Sequence, residues 1–443
     1  MNKKIDLGAP VYDARELGTP KMLVLGLQHM FAMFGATVLV PTLTGLSVSA
    51  TLLFAGLGTL LFHLLTGKKV PAFLGSSFAF LGGYFTIAPG GDPALLPYAC
   101  FGVAIAGLMY GVLSAAFKAF GVRKVMRFFP PIVTGPIIIC VGLHLAPTAI
   151  NSCMDNWGIA LVAVFVVIIC NIWGKGMIRI IPILLGVVAS YLAAAVTGNV
   201  DFSAVKTAAW VGLPFRFENT VFGLFTSGNV DGSLLLTSVI TILPISLATM
   251  VEHIGDICAI SSTCGRNFME DPGFHRTLLG DGLATTVAAL FGAPANTTYG
   301  ENTGVLNLTR VYDPRVIRIA AGFAIVFSFC PKFSALIAAM PSATIGGVSL
   351  ILYGMIAAVG VRNVVENQVD FTNTRNVIIA ALILCLTIGI EFSSAGTVKL
   401  GAVSLSGLAV ASIVGIALNA ILPGKDYVFV QEGRGSTSVN FKV

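Results

Sequence analysis

The stretch TTYGENTGVLNLTR, Thr297 to Arg310, sets a glutamate, two asparagines, two glycines and an arginine among apolar runs in a chain that is 56% hydrophobic and 10% charged. Such a stretch is either a surface loop or a polar site inside a membrane, and the rest of the chain decides between them. The 443 residues have a mean hydropathy of +0.90. Their apolar runs repeatedly reach about twenty residues, the length a helix needs to cross a bilayer. This is the composition of an all-α polytopic membrane protein. The first run begins near Met22 and is too long for a signal segment, so it is expected to remain as a span in the lipid bilayer. The eight cysteines lack metal-ligand spacing, so neither a disulfide framework nor a metal or cofactor site is expected. The net charge of +6 is scattered between spans rather than gathered on one face, which argues against nucleic acid as a partner.

Apolar runs read against breakers predict fourteen spans. Seven lie near 22–40, 47–66, 71–88, 97–118, 129–149, 157–174 and 179–198. Seven more lie near 234–256, 277–293, 296–311, 316–338, 341–360, 376–391 and 400–422. With the N-terminus cytoplasmic, only Lys206, Arg216, Lys332 and Lys399 of the 26 Lys and Arg residues fall outside. That bias predicts both termini in the cytoplasm. The connection around 199–233, with Asp201, Glu218 and Asp231, is the largest external loop.

Seven spans per half force the halves into opposite orientations, so a sequence echo between them marks an inverted repeat. PAFLGSSFAF from Pro71 is echoed by PANTTYGENTG from Pro294, each a Pro-Ala followed by small, polar and glycine residues. FPPIVTG from Phe129 is echoed by MPSATIGG from Met340, with a proline and a glycine five residues later. Unwound backbone at membrane depth is tolerated only where it is buried in protein or lines a cavity. Corresponding interruptions in two halves therefore point to a substrate site near the midplane, where the third and tenth segments meet.

An aspartate at a helix centre costs about 2.5–3.5 kcal/mol on insertion scales, so every ionisable group in a span needs a partner or a purpose. Glu252 and Glu301 are the sharpest cases. Ionised carboxylates only accept hydrogen bonds, which suits a ligand presenting N–H groups. Free backbone N–H groups at the interrupted segments supply the complementary donors. Phe78 and Tyr299 offer flat faces. Together they describe a neutral heteroaromatic ligand, and concentrating a neutral ligand requires a coupled ion. A carboxylate in apolar surroundings can take up and release a proton as the cavity changes side, which favours H+ over Na+. Asp256 and Asp281 are further candidates for coupling. His63, His144 and His253 read as packing residues, and Arg310 as an interface or gating anchor.

These residues resemble a known family. Asn302 and Gly304, followed after four residues by Thr309 and Arg310, look like the signature of the nucleobase–ascorbate (nucleobase cation symporter-2) transporters. LQHMFAMFGATVLVP from Leu27, LGSSFAF from Leu74 and EHIG from Glu252 are most similar to the bacterial uracil permeases. The resemblance covers about residues 20 to 425. It implies fourteen segments in two inverted repeats of seven, with short strands in segments 3 and 10. It implies a core domain (22–120 and 234–340) and a gate domain (121–200 and 341–423), an external loop (201–233) and cytoplasmic tails (1–21 and 424–443). Glu252 and Glu301 would accept from pyrimidine N–H groups, and the amides of Phe78 and Gly300 would donate to a ring carbonyl. Tyr299 and His29 would belong to the surrounding shell. The expected activity is uracil import by proton symport across a bacterial inner membrane, by a protein that is often a homodimer.

One position departs from the pattern. Four residues after Glu252 the uracil permeases carry a histidine, whereas Asp256 looks like the purine carriers; the glutamate before Asn302 is uracil-like. A purine (xanthine- or urate-type) proton symporter is therefore the alternative. An anion exchanger of the same fold is a more distant one, because two carboxylates repel an anion. A passive channel would lack pH-coupled accumulation. An enzyme would need a nucleophile–base pair or metal cluster, for which no spacing exists.

Overall fold

In lipid, backbone polar groups must be satisfied within their own segment, so a chain this apolar folds as helices. The computed structural model describes residues 10–226, 230–394, 396–400 and 403–424. The first nine residues of the N-terminal tail and the C-terminal tail from residue 425 lie outside the described residues. In chain order the principal elements of the first half are α1 (Thr19–Thr44), α2 (Val48–Leu65), β1 (Leu74–Ser76), α3 (Leu81–Ile87), α4 (Leu96–Phe120), α5 (Pro131–Leu143), α6 (Ala146–Met154), α7 (Trp157–Ile172) and α8 (Pro182–Val196). There follow α9 (Gly232–Ile242), α10 (Ile245–Cys264), α11 (Phe274–Leu290), β2 (Asn296–Thr298), α12 (Gly300–Thr309), α13 (Pro314–Ser328), α14 (Pro331–Ala338), α15 (Ser342–Glu366), α16 (Thr374–Glu391), β3 (Val398–Leu400), β4 (Val403–Leu405) and α17 (Gly407–Ile421).

Among the described residues, seven helical stretches are long and apolar enough to cross a membrane: α1, α2, α4, Pro131–Met154, Gly232–Cys264, α15 and α16. The pair α13 and α14 makes an eighth if taken together, and α7, α8 and α17 are shorter apolar helices. The expected continuous span 316–338 is instead bent by 86° between α13 and α14. Pro331 there has no N–H to continue the helix. The expected span 129–149 is likewise divided at His144–Leu145, just before Pro147 in the first turn of α6. Pro244 separates α9 from α10, and α10 runs on to Cys264, eight residues beyond the expected end at 256. Gly265, at φ 62°, turns the chain there. The expected external loop is not featureless, since it holds short helices at Ser203–Thr207 and Val221–Thr226.

Two packing groups share the work. Helices α1–α4 pack with α9–α13, and α5–α8 pack with α15–α17. Contacts between the groups run mainly through α9 against β4, α10 against α5 and α17, and α1 against α8. Close approach within a group relies on glycine. A Cβ on Gly107 would lie 2.7 Å from the Gly282 carbonyl oxygen, and one on Gly142 2.3 Å from that of Tyr353.

The N-terminal segment clasps one end of the first group. Val11 forms a parallel bridge with Val311, its N–H donating to the Arg310 carbonyl (2.8 Å) and its carbonyl accepting from Tyr312 (2.8 Å). The Tyr12 hydroxyl donates to the Cys264 carbonyl at 2.8 Å, beneath the Arg266 guanidinium. Arg315 donates to both Asp13 (2.8 Å) and Asp313 (3.0 Å). The guanidinium and backbone N–H of Arg15 hold the Asp13 carboxyl well below the usual carboxylate range.

Candidate functional site

The two sequence interruptions meet. β1 and β2 pair antiparallel, with Leu74 opposite Thr298, Gly75 opposite Thr297 and Ser76 opposite Asn296. Two further backbone bonds extend the ladder, Ser77 N–H to the Ala295 carbonyl (2.8 Å) and Tyr299 N–H to the Phe73 carbonyl (3.1 Å). Strands of three residues are too short to stand alone. Their support comes from neighbouring helices. Thr59 of α2 accepts from the Leu74 N–H (2.9 Å), the Asn296 side chain donates to the Phe54 carbonyl (3.0 Å), and Thr285 of α11 donates to the Asn296 carbonyl (2.9 Å).

Gly75 is fixed by what lies against it. A Cβ there would stand 2.5 Å from the Tyr299 ring and 2.6 Å from Thr37 Oγ1. Tyr299, buried, lies across this glycine and donates its hydroxyl to the Ser76 carbonyl at 2.8 Å, while Ser76 donates to the Thr37 carbonyl at 2.8 Å. Tyr299 is thus a brace between β1 and β2 as well as a flat surface near the glutamates.

Each strand leads into a helix that starts at the crossing, α3 after the Phe78–Phe80 turn and α12 at Gly300. The first amides of such helices have no intrahelical acceptor, so both interruptions present free donors and the positive end of a helix dipole. Open space stands in front of Gly300 and Gly304, where an added Cβ would meet nothing. Glu301 occupies the first turn of α12. Glu252, half-buried on α10, has Asp256, Asp281 and Glu301 within electrostatic reach. Tyr299 is in reach of both glutamates. Phe78 is buried and meets Tyr353 of the other packing group edge to face, with ring centroids 5.9 Å apart.

The remaining sequence candidates fall into three places. His29 is buried on α1, where Asn302 donates to its carbonyl (3.0 Å) and lies 3.2 Å from its Nδ1, tying α1 to α12. Asp256 accepts a hydrogen bond from the Thr298 hydroxyl at 2.6 Å, linking α10 to β2 beside the site. Asp281 is fully buried and set back on α11, its Oδ2 3.0 Å from His253 Nδ1. Thr309 and Arg310 lie at the far end of α12, Arg310 closing the helix in the left-handed conformation at φ 53°. They shape the end of that helix and the bridge to Val11 rather than the crossing.

Sequence reasoning missed four participants. Thr298 was one threonine among many, Thr37 and Tyr353 lie on long uniform apolar runs, and His253 read as packing. Only the adjacency of His253 to Glu252 was visible in the sequence. Among the described residues no group of three His, Cys, Asp or Glu side chains is arranged to hold a metal ion.

Residues 20–396 match the permease family. A uracil permease of Bacillus caldolyticus is 42% identical over 430 residues, covering 95% of this chain and 96% of that protein. A uracil permease of Bacillus subtilis (strain 168) is 40% identical over 435 residues, covering 95% and 96%. The solved transmembrane domain of a cyanobacterium bicarbonate transporter, BicA, shares the fold with a TM-score of 0.57 at 16% identity, over 92% of this chain and 98% of that one. With this match laid over a strand crossing made from two distant parts of the sequence, the chain belongs to the permease family, the multi-pass nucleobase–ascorbate transporters that its motifs resemble, and is a transporter rather than an enzyme.

Proposed function

We propose that the chain carries uracil across a bacterial inner membrane by proton symport. What supports this reading is that Glu252 and Glu301, from α10 and α12, lie within electrostatic reach of each other near the helix starts that follow Phe78 and Tyr299. Two acceptors and neighbouring backbone donors match a planar ring with N–H and C=O groups alternating around it. Phe78 supplies a face for the ring, and His29 acts through Asn302 by holding α12 against α1. The two uracil permeases at 42% and 40% identity support the substrate.

In this reading the chain forms fourteen segments in two inverted repeats, both termini cytoplasmic. The α1–α4 and α9–α14 group is the moving core, and α5–α8 with α15–α17 is the gate, in the boundaries given above. Rocking of one against the other exposes the crossing to each side in turn. Glu252 or Glu301 carries the coupled proton, with Asp256 and Asp281 adjoining, and the working unit is a homodimer. One observation favours a second reading. Asp256, tied to Thr298 beside the site, adds an acceptor that suits the larger donor set of a purine. An anion exchanger is disfavoured by the clustered carboxylates, despite the fold shared with BicA.

The test is uptake of labelled uracil into proteoliposomes under an imposed inward proton gradient, with xanthine, hypoxanthine, urate and thymine as competitors. Accumulation that collapses with a protonophore and is competed by thymine more than by xanthine is expected. Accumulation indifferent to the gradient would remove proton coupling, and stronger competition by xanthine would replace the substrate.

A further inference from the structure

The connection between α8 and α9 runs as a strap along the rim of the first packing group, at the end opposite the N-terminal clasp. Phe202 turns back against the Tyr191 ring of α8, with centroids 6.1 Å apart, and Ser203–Thr207 packs on α14. The strap then crosses the bend between α13 and α14. There the Gly212 N–H donates to the Phe329 carbonyl (3.1 Å) and the Lys332 N–H donates to the Ala209 carbonyl (2.9 Å). A bend between two helices leaves end carbonyls and first amides without intrahelical partners, and the strap supplies one partner on each side. The contact is close, since a Cβ on Gly212 would stand 2.6 Å from the Pro331 ring. Farther along, the Pro214 carbonyl accepts from Ser47 at the start of α2 (3.4 Å), and Phe215 packs on Phe54 of α2 and Phe291 beyond α11, with centroids 6.3 and 5.4 Å away.

The outward side of this strap is apolar. Trp210, Val211 and Leu213 are 72%, 80% and 83% exposed, and Phe217 continues the exposed run, while Pro214 is buried against the rim. Large apolar side chains gathered on one outward surface mark a partner. The neighbouring surface says which partner. One turn before the bend, Val326 of α13 is exposed as well, as is Val287 one turn before Phe291 on α11. In a multi-pass membrane protein such outward apolar residues on packed helices meet lipid, so the strap continues the lipid-facing surface to the level where the chain leaves the helices. The Lys332 ammonium stands over the Trp210 ring, 4.9 Å from its centroid. An indole with its body in apolar surroundings and a cation beside it suits the headgroup level of a bilayer.

We propose that the strap is an interfacial anchor, in which Trp210, Val211 and Leu213 enter the boundary between headgroups and acyl chains and hold the α13–α14 bend at that depth. Its partner is the lipid surface, recognised through its apolar boundary. The anchor bears on the joint between the packing groups, because α14 is bonded to both: Ser334 to Ser49 of α2 (2.5 Å), and the Leu336 carbonyl to the Tyr191 hydroxyl of α8 (2.9 Å). Lipid therefore grips the protein where one group is joined to the other. Nothing in this proposal depends on which molecule is carried.

The test uses tryptophan emission from the full chain in phosphatidylcholine vesicles. The sequence has three tryptophans, Trp157, Trp173 and Trp210. Subtracting the spectrum of Trp210→Phe from that of the parent protein isolates Trp210. Its emission should be quenched by lipid brominated near the headgroup end of the acyl chain, less by lipid brominated near the chain terminus, and little by iodide in the water. Moving the reporter with Trp210→Phe combined with Leu213→Trp should preserve that pattern. Quenching by iodide without quenching by either brominated lipid would place the strap in water and overturn the proposal. Protection from iodide and from both lipids would mean that protein, such as a second copy of the chain, covers Trp210, and would overturn it equally.

Discussion

Glu301 stands in the first turn of α12, where open space lies in front of Gly300, and Glu252 on α10 is within electrostatic reach of it. A hydrogen bond to a charged group contributes about 1.5–3 kcal/mol. Glu252→Gln and Glu301→Gln should therefore each weaken uracil binding by about 10- to 150-fold, read by titration calorimetry, and normal affinity in both would dissolve the assigned site. Gly75→Ala tests the brace. Its methyl group would collide with the Tyr299 ring, so Tyr299 must leave Ser76 and binding should be lost while the protein still inserts. Thr298→Val removes the donor to Asp256, leaving a carboxylate without that hydrogen bond. The expected outcome is a loss of about 1–3 kcal/mol of stability in detergent, visible as a lower Tm. At this scale the sequence was legible where a residue type is expensive in its surroundings. The two glutamates announced themselves by their cost in lipid, whereas Thr298 and Thr37 are cheap residues whose importance comes from where distant segments place them.

Among the elements, the clasp from Val11 to Arg15 joins the ends of α10 and α12, which bear the two glutamates, to the start of α13. Tyr12→Phe removes the single bond to Cys264 and should cost about 1 kcal/mol in stability. Asp13 has its carboxyl held below the ordinary value of 3.8, so its contribution is present above that pH and is lost only as pH falls through the lowered value. Asp13→Asn should accordingly lower Tm by the same amount at pH 5 and pH 8, and a difference between those two readings would contradict the arrangement. Helix positions were readable from apolar runs because span length is imposed by bilayer thickness. Breaks were readable less well. Pro331 and Pro244 were visible, but whether a proline bends a span or merely starts the next helix depends on the packing around it. The strands of three residues have no periodicity of their own, and only the family resemblance implied them.

For the whole molecule, the Phe78–Tyr353 contact is the point where the candidate site touches the second packing group. An aromatic pair of this geometry is worth about 0.5–1.5 kcal/mol beyond its burial. Tyr353→Ala should shift the balance between open and closed forms, raising uracil exchange rates while changing affinity by less than the glutamate variants do. Two-body organisation was only partly legible in the sequence. Proline-glycine echoes suggested corresponding halves, but which helices pack closely together depends on glycine contacts such as Gly107 on Gly282, and no local pattern separates those from ordinary small residues.

The crossing of β1 with β2 also bears on how the chain is made. Residues 74–76 must wait for residues 296–298, and at about 5–20 residues per second the ribosome needs roughly 10 to 45 seconds to deliver them. Through that interval the backbone bonds that β2 and Ala295 give to β1 and Ser77 are missing, so a product truncated before residue 296 should be degraded faster than the full chain, as a pulse–chase of the two would read.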